Sequence, residues 1–118
     1  MIEFIIPVRT VSESNIHAHW TKRAARAAMQ RETSYLVTKT HKHISSRPPA
    51  TVLLVRVGRN LLDSDNLQGS LKAVRDGIAQ VWGCGDAPSG PIVWAYDQMI
   101  GHEYGVLVKM EWREKICG

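Results

Sequence analysis

A chain of 118 residues, 44% hydrophobic and 22% charged, suits one soluble globular domain spanning 1–118, with a core that needs no metal or disulfide staples. No apolar run approaches the ~20 residues that cross a bilayer, and the opening MIEFIIP is too short and wrongly flanked for a signal peptide, so a cytoplasmic protein is expected and a membrane partner is not. The net charge of +4 is divided unevenly, +5 over residues 1–50 and −1 over residues 51–118. That division fits a part that neutralises phosphates joined to a part that gathers carboxylates, although a merely solvated basic helix would look the same.

Residues 2–6 alternate loosely, with Ile2, Phe4 and Ile6 on one side, and predict a short strand ended by Pro7. A polar, turn-prone stretch leads to a long helix from about His19 to His41, rich in strong helix formers. Its apolar positions are Ala25, Ala28, Met29 and Leu36, a thin stripe expected to pack closely on a sheet. Lys22, Arg23 and Arg26 recur at three- and four-residue spacing and project together, with Arg31 further along. Pro48 and Pro49 break the helix.

Residues 51–60, TVLLVRVGRN, are β-branched and apolar and predict a central strand that delivers the chain to Asp63. From Leu67 the apolar residues Leu67, Leu71, Val74, Ile78 and Val81 fall at helical steps, with Asp65 or Asn66 as the expected N-cap and Gly83 and Gly85 as terminators. Two more strands, 92–101 and 104–112, are separated by a short polar connection that suggests a hairpin. The order predicts an α+β fold, a small mixed β-sheet with two main helices packed on it.

Candidate chemistry concentrates between Leu61 and Asp86. In an extended segment Asp63 and Asp65 share one face, where two carboxylates repel unless a cation sits between them. Mg²⁺ suits such a pair, since it takes carboxylate oxygens, keeps waters and completes its shell with phosphate. Asp86 could add a third ligand. Equally, Asp65 could cap the helix, while Asp63 and Asp86 could be ordinary turn and loop residues. Lys72 lies two helical turns beyond Asp65 on a similar side and could stabilise a phosphoryl oxygen, or simply be solvated, as Arg75 and Asp76 are expected to be.

The histidine pairs His17/His19 and His41/His43 lack a cysteine partner or an HExxH frame, which favours phosphate contact or plain exposure over Zn²⁺ ligation. Cys84 and Cys117 show neither CxxC spacing nor a disulfide framework. The four tryptophans read as core or interface anchors. No serine or cysteine stands in a nucleophile motif, and no glycine loop matches a nucleotide fingerprint.

Asp63-Ser-Asp65-Asn66-Leu67, followed by Lys72-Ala-Val-Arg-Asp-Gly-Ile and Gly83-Cys-Gly-Asp86, resembles the RusA family of Holliday junction resolvases, in particular its phage and prophage branch. Asn15, His19, Trp20, Arg23 and Arg31 also look like that branch, so the similarity covers most of the chain, with the central segment its specific part. The resemblance implies a homodimeric endodeoxyribonuclease, dependent on Mg²⁺ with Mn²⁺ as a substitute, that nicks four-way DNA junctions symmetrically inside a bacterial or phage-infected cell. Its catalytic carboxylates would fall on Asp63, Asp65 and Asp86 and its active-site lysine on Lys72, with Asn66 in support and His19, Lys22, Arg23, Arg26 and Arg31 toward DNA.

Two positions depart from the pattern. Shorter members carry the lysine three residues after the Asn; here that position is Gly69, and Lys72 stands about 4.5 Å further along a helix. The first of the paired aspartates in the turn is Gly85. Two other functions remain open on the residues alone: a junction- or duplex-binding protein with structural acids, and a Mg²⁺ nuclease for flaps or RNA.

Overall fold

The computed structural model describes residues 1–10, 20–41, 47–83 and 90–113. Along the chain these form β1 (Ile2–Ile6), α1 (Trp20–Lys39), β2 (Thr51–Gly58), α2 (Ser64–Val81), β3 (Val93–Ile100) and β4 (Gly105–Glu111). The result is an α+β fold, one four-stranded mixed sheet with two helices, as its sequence pattern predicts.

The strand order is β1-β4-β2-β3. β3 runs parallel to β2, while β4 lies antiparallel between β1 and β2. The expected β3–β4 hairpin is therefore not formed: β4 passes its predecessor and inserts beside β1. The reason lies in side-chain parity. Val106, Val108 and Met110 are fully buried and find partners of matching register on both sides, Ile6, Phe4 and Ile2 on β1 and Arg56, Leu54 and Val52 on β2, all of them apolar except Arg56. Beside β3, whose exposed and half-buried residues alternate, β4 would hold an edge with a neighbour on one side only. β2, by contrast, is internal, as its apolar run predicts.

α2 connects the parallel strands β2 and β3, the crossover that such a pair requires. It buries Leu67, Leu71, Val74 and Ile78 against Phe4, Val52, Leu54, Val106, Val108 and Met110. Val81 is half-buried, at the edge of this stripe. Gly83, with φ of 65°, takes the left-handed turn that ends the helix. Arg75 is not solvated as expected: its guanidinium lies 5.0 Å from the centre of the Trp94 ring and donates to the Tyr96 hydroxyl.

α1 behaves differently. Ala25, Ala28, Met29 and Leu36, the residues expected to face the sheet, are exposed, and the buried positions are Gln30, Ser34 and Thr38. The helix packs chiefly on α2 and meets the sheet mainly at β1. Close approach explains the choice of face. A Cβ on Gly77 would stand 2.2 Å from the Arg31 carbonyl oxygen and 2.9 Å from the Ser34 Cβ, so the two backbones meet where only small residues fit. Two of these three polar residues are bonded, Ser34 Oγ donating to the Gln30 carbonyl at 2.6 Å and Gln30 Nε2 reaching the distant Arg9 carbonyl at 2.9 Å, while the buried Thr38 hydroxyl has no hydrogen-bond partner among the described residues.

Of the tryptophans, Trp82, Trp94 and Trp112 pack against the core, whereas Trp20 is 69% exposed. His41 stacks on Phe4 at 4.3 Å. On the sheet face opposite the helices, Ile5, Val93 and Met99 remain 49–64% exposed. No helix of the described residues is long and apolar enough to cross a membrane.

Candidate functional site

The parallel pair β2–β3 directs attention to its carboxyl end, where open α/β sheets bind ligands. β2 stops at Gly58, and residues 59–63 carry the chain over that end to the start of α2. Two side chains hold this loop. Gln98 on β3 forms a double hydrogen bond with one residue: its Oε1 accepts from the Leu62 N–H at 2.9 Å, and its Nε2 donates to the Leu62 carbonyl at 2.6 Å. Arg56, only 4% exposed, donates from Nη1 to the Asn60 carbonyl at 2.8 Å and from Nη2 to the Thr10 carbonyl at 3.2 Å. Its guanidinium lies directly over Gly58, where a Cβ would come within 2.8 Å. Burial lowers the Arg56 pKa from its ordinary value, against a smaller opposing influence of Tyr104.

Neither Arg56 nor Gln98 attracts notice in the sequence as a functional residue. The signal was there in parity: both occupy inward-facing positions of strands, in register with one another, where apolar residues are the rule. A polar side chain at such a position must find partners, and the loop backbone supplies them.

The loop ends in Asp63, which is the N-cap of α2, rather than Asp65 or Asn66 as expected. Its Oδ1 accepts from the Asn66 backbone N–H at 2.9 Å and its Oδ2 from Asn66 Nδ2 at 3.0 Å, while Leu67 N–H begins the helical ladder on the Asp63 carbonyl at 2.8 Å. Helix thus starts at Ser64, and Asp65 lies in its first turn. The period-two argument for Asp63 and Asp65 sharing an extended face does not hold. What the two share instead is a helix N-terminus, whose dipole favours both negative charges. Both are exposed.

Asp86 lies outside the described residues, as does His19. Among the described residues no three His, Cys, Asp or Glu side chains are grouped closely enough to hold an ion. The donor chemistry of Asp63 and Asp65 nonetheless fits Mg²⁺, which is commonly bound by one or two carboxylates with water and phosphate in the remaining positions. Each Asp63 oxygen accepts a single hydrogen bond from Asn66, leaving lone-pair capacity on both. Asn66 fixes the carboxylate plane.

Lys72 is exposed, and its Nζ is 3.6 Å from Asp76 Oδ1, one turn further along α2. It stands about 10.5 Å along the helix axis from Asp65. The cations of α1 divide into two sets. Arg23 and Arg31 line a groove between α1 and α2 together with Lys72, whereas Lys22 and Arg26 do not. Lys22, Arg23 and Arg31 are exposed and Arg26 is half-buried.

Comparison of the chain with family models, with curated proteins and with solved structures gives no match.

Proposed function

We propose that this chain is a Mg²⁺-dependent endodeoxyribonuclease that resolves four-way DNA junctions by paired nicks, Mn²⁺ serving as a substitute. The observation that carries the reading is the pair Asp63 and Asp65, exposed where a braced loop at the carboxyl end of parallel strands enters the first turn of α2, with cationic residues on the neighbouring helix. The resemblance of D-S-D-N-L and its following helix to the RusA family supplies the reaction. In this reading Asp63, Asp65 and Asp86 hold the ion, which when bound activates water and neutralises charge on the scissile phosphate.

The remaining work falls to side chains of the chain itself. Asn66 orients the Asp63 carboxylate; Gln98 and Arg56 keep the loop from shifting when a charged ligand arrives. Lys22, Arg23, Arg26, Arg31 and His19 neutralise phosphates, so affinity falls steeply with salt. Two nicks in opposed strands call for two sites, hence a homodimer. The open face of the sheet favours such a partner, since it carries Ile5, Val93 and Met99 and includes a parallel strand pair of the kind normally covered on both sides.

The test is a labelled four-way junction incubated with the protein and Mg²⁺, beside Asp65→Asn. The variant should bind the junction yet nick it at least about 100-fold more slowly, since even groups that only orient metal ligands are worth 10–100-fold. Nicking that survives in Asp65→Asn would sink the metal site. Binding without nicking under either ion would favour a non-catalytic junction-binding protein, and parallel assays on linear duplex, flap and RNA would reveal a different substrate. Sedimentation of the same preparation reads the subunit number.

A further inference from the structure

The groove between the helices has a definite construction. α1 and α2 are closest where Gly77 meets Arg31 and Ser34. N-terminal to that contact on both helices the space opens to about 390 Å³. Its walls are small, with Ala24 and Ala27 on α1 facing Gly69 and Ala73 on α2. Its charged groups are Arg23 and Arg31 on one side and Lys72 with Asp76 on the other. Three cations and one carboxylate leave an excess of positive charge in a channel whose width is set by alanines and a glycine. Around Gly69 the room is real: a Cβ there would meet nothing within 4 Å.

From this construction we infer that the α1–α2 groove is the track of one nucleic-acid strand, gripping its phosphodiester backbone between Arg23, Arg31 and Lys72. The inference rests on the nucleic-acid-binding part of the proposed function and gives Lys72 a different role within it. Lys72 is then a backbone-binding residue of the groove, not a group that touches the reacting phosphate. Geometry favours this: its Nζ turns toward Asp76, away from the Asp65 end of the helix, and both residues line the channel. Arg23 and Arg31 are about 12 Å apart along α1. That span matches three to four nucleotides at ~3.4 Å of rise per nucleotide along a strand. The channel begins one helical turn beyond Asp65, at Gly69, so the groove and the carboxylates lie at the same end of α2.

The discriminating variant is Gly69→Glu, which sets a carboxylate in the channel. A Cβ at position 69 meets nothing within 4 Å, and the better helix propensity of glutamate outweighs its repulsion from Asp65 one turn back, so its melting temperature should be no lower than wild type. Gln80→Glu makes the same charge change on an exposed part of α2 about 16 Å away, beyond the ~10 Å screening length at 0.1 M salt. Binding of a labelled four-way junction is followed by anisotropy in Ca²⁺, which is not expected to support cleavage, across a salt series. Gly69→Glu should weaken binding about 10-fold and Gln80→Glu less than 2-fold. Lys72→Ala should lower the slope of log K against log salt by about 0.9, as one lost phosphate contact requires.

Wild-type affinity in Gly69→Glu would overturn the inference. So would Lys72→Ala with an unchanged salt slope and a slower single-turnover nicking rate, which would return the lysine to the reacting centre. The readouts separate the two readings. A junction bound through the groove but never nicked keeps the groove and sinks the nuclease; nicking indifferent to Gly69→Glu does the reverse.

Discussion

Helix α2 turns Leu67, Leu71, Val74 and Ile78 into the core, whereas α1 turns Gln30, Ser34 and Thr38 inward and leaves Met29 and Leu36 about half exposed. The first helix is docked by close backbone contact with α2 and a hydrogen bond from Gln30 to the Arg9 carbonyl, the second by apolar area removed from water. Their proposed roles differ in the same sense. α2 begins with the carboxylates, whose separation tolerates little drift, and it is anchored in the core behind the loop that carries them. α1 contributes cations to a backbone of phosphates, and long flexible side chains absorb small displacements there. The more demanding chemistry sits on the better anchored helix.

The largest effect should come from cutting into the α2 anchor. Leu71 is fully buried, and Leu71→Ala removes its burial and leaves a cavity, at a cost of about 3 kcal/mol in urea denaturation. A loss below about 1 kcal/mol would mean that the core re-closes around α2 and that the contrast between the helices is weaker than their faces suggest. The next effect tests α1 at its point of contact. Gly77→Ala drives a methyl group against the Arg31 carbonyl, so overpacking of about 1–3 kcal/mol exceeds the gain of up to ~1 kcal/mol from better helix propensity. Gly69→Ala, on the same helix but facing open space, should instead stabilise by roughly 0.5–1 kcal/mol. Opposite signs for two glycines on one helix would locate the helix–helix contact with no other measurement; equal signs would contradict the packing of α1.

That contrast also explains what could be read from the sequence. α2 was legible because its apolar residues follow helical spacing and the buried face is the apolar face. So was the class of fold, and the internal position of β2. α1 was not: its apolar stripe is thin, and the face chosen depends on the meeting of Ser34 with Gly77, residues far apart in the chain whose smallness matters only in three dimensions. The register of β4 failed for a similar reason. Proximity in sequence suggested a hairpin with β3, while register-matched partners for its buried face on two strands selected a place between β1 and β2. At the candidate site the carboxylates were visible as a motif, but their geometry was not, because Asp63 as a cap moves the helix start to Ser64 and ends the extended segment. The supporting Gln98 and Arg56 are isolated polar residues whose partners are backbone atoms of the loop, and no motif records a backbone partner.

The smallest expected effect lies on the outer face of α1. Met29 is 52% and Leu36 50% exposed, so Met29→Gln and Leu36→Gln should each change stability by no more than about 0.5 kcal/mol. Because so little of either side chain is withdrawn from water in one protomer, a larger loss has one physical source, burial of that face against something else in solution. In a homodimer held by that face, stability would fall on dilution less steeply for the variant than for wild type, so the gap between them would narrow, since mass action ties dimer stability to protomer concentration. Denaturation at two concentrations therefore decides between the two faces available to a partner. A small, concentration-independent effect leaves the open sheet face, with Ile5, Val93 and Met99, as the surface a second copy would cover; a large, concentration-dependent one transfers that role to α1 and brings the dimer contact onto the helix that lines the groove.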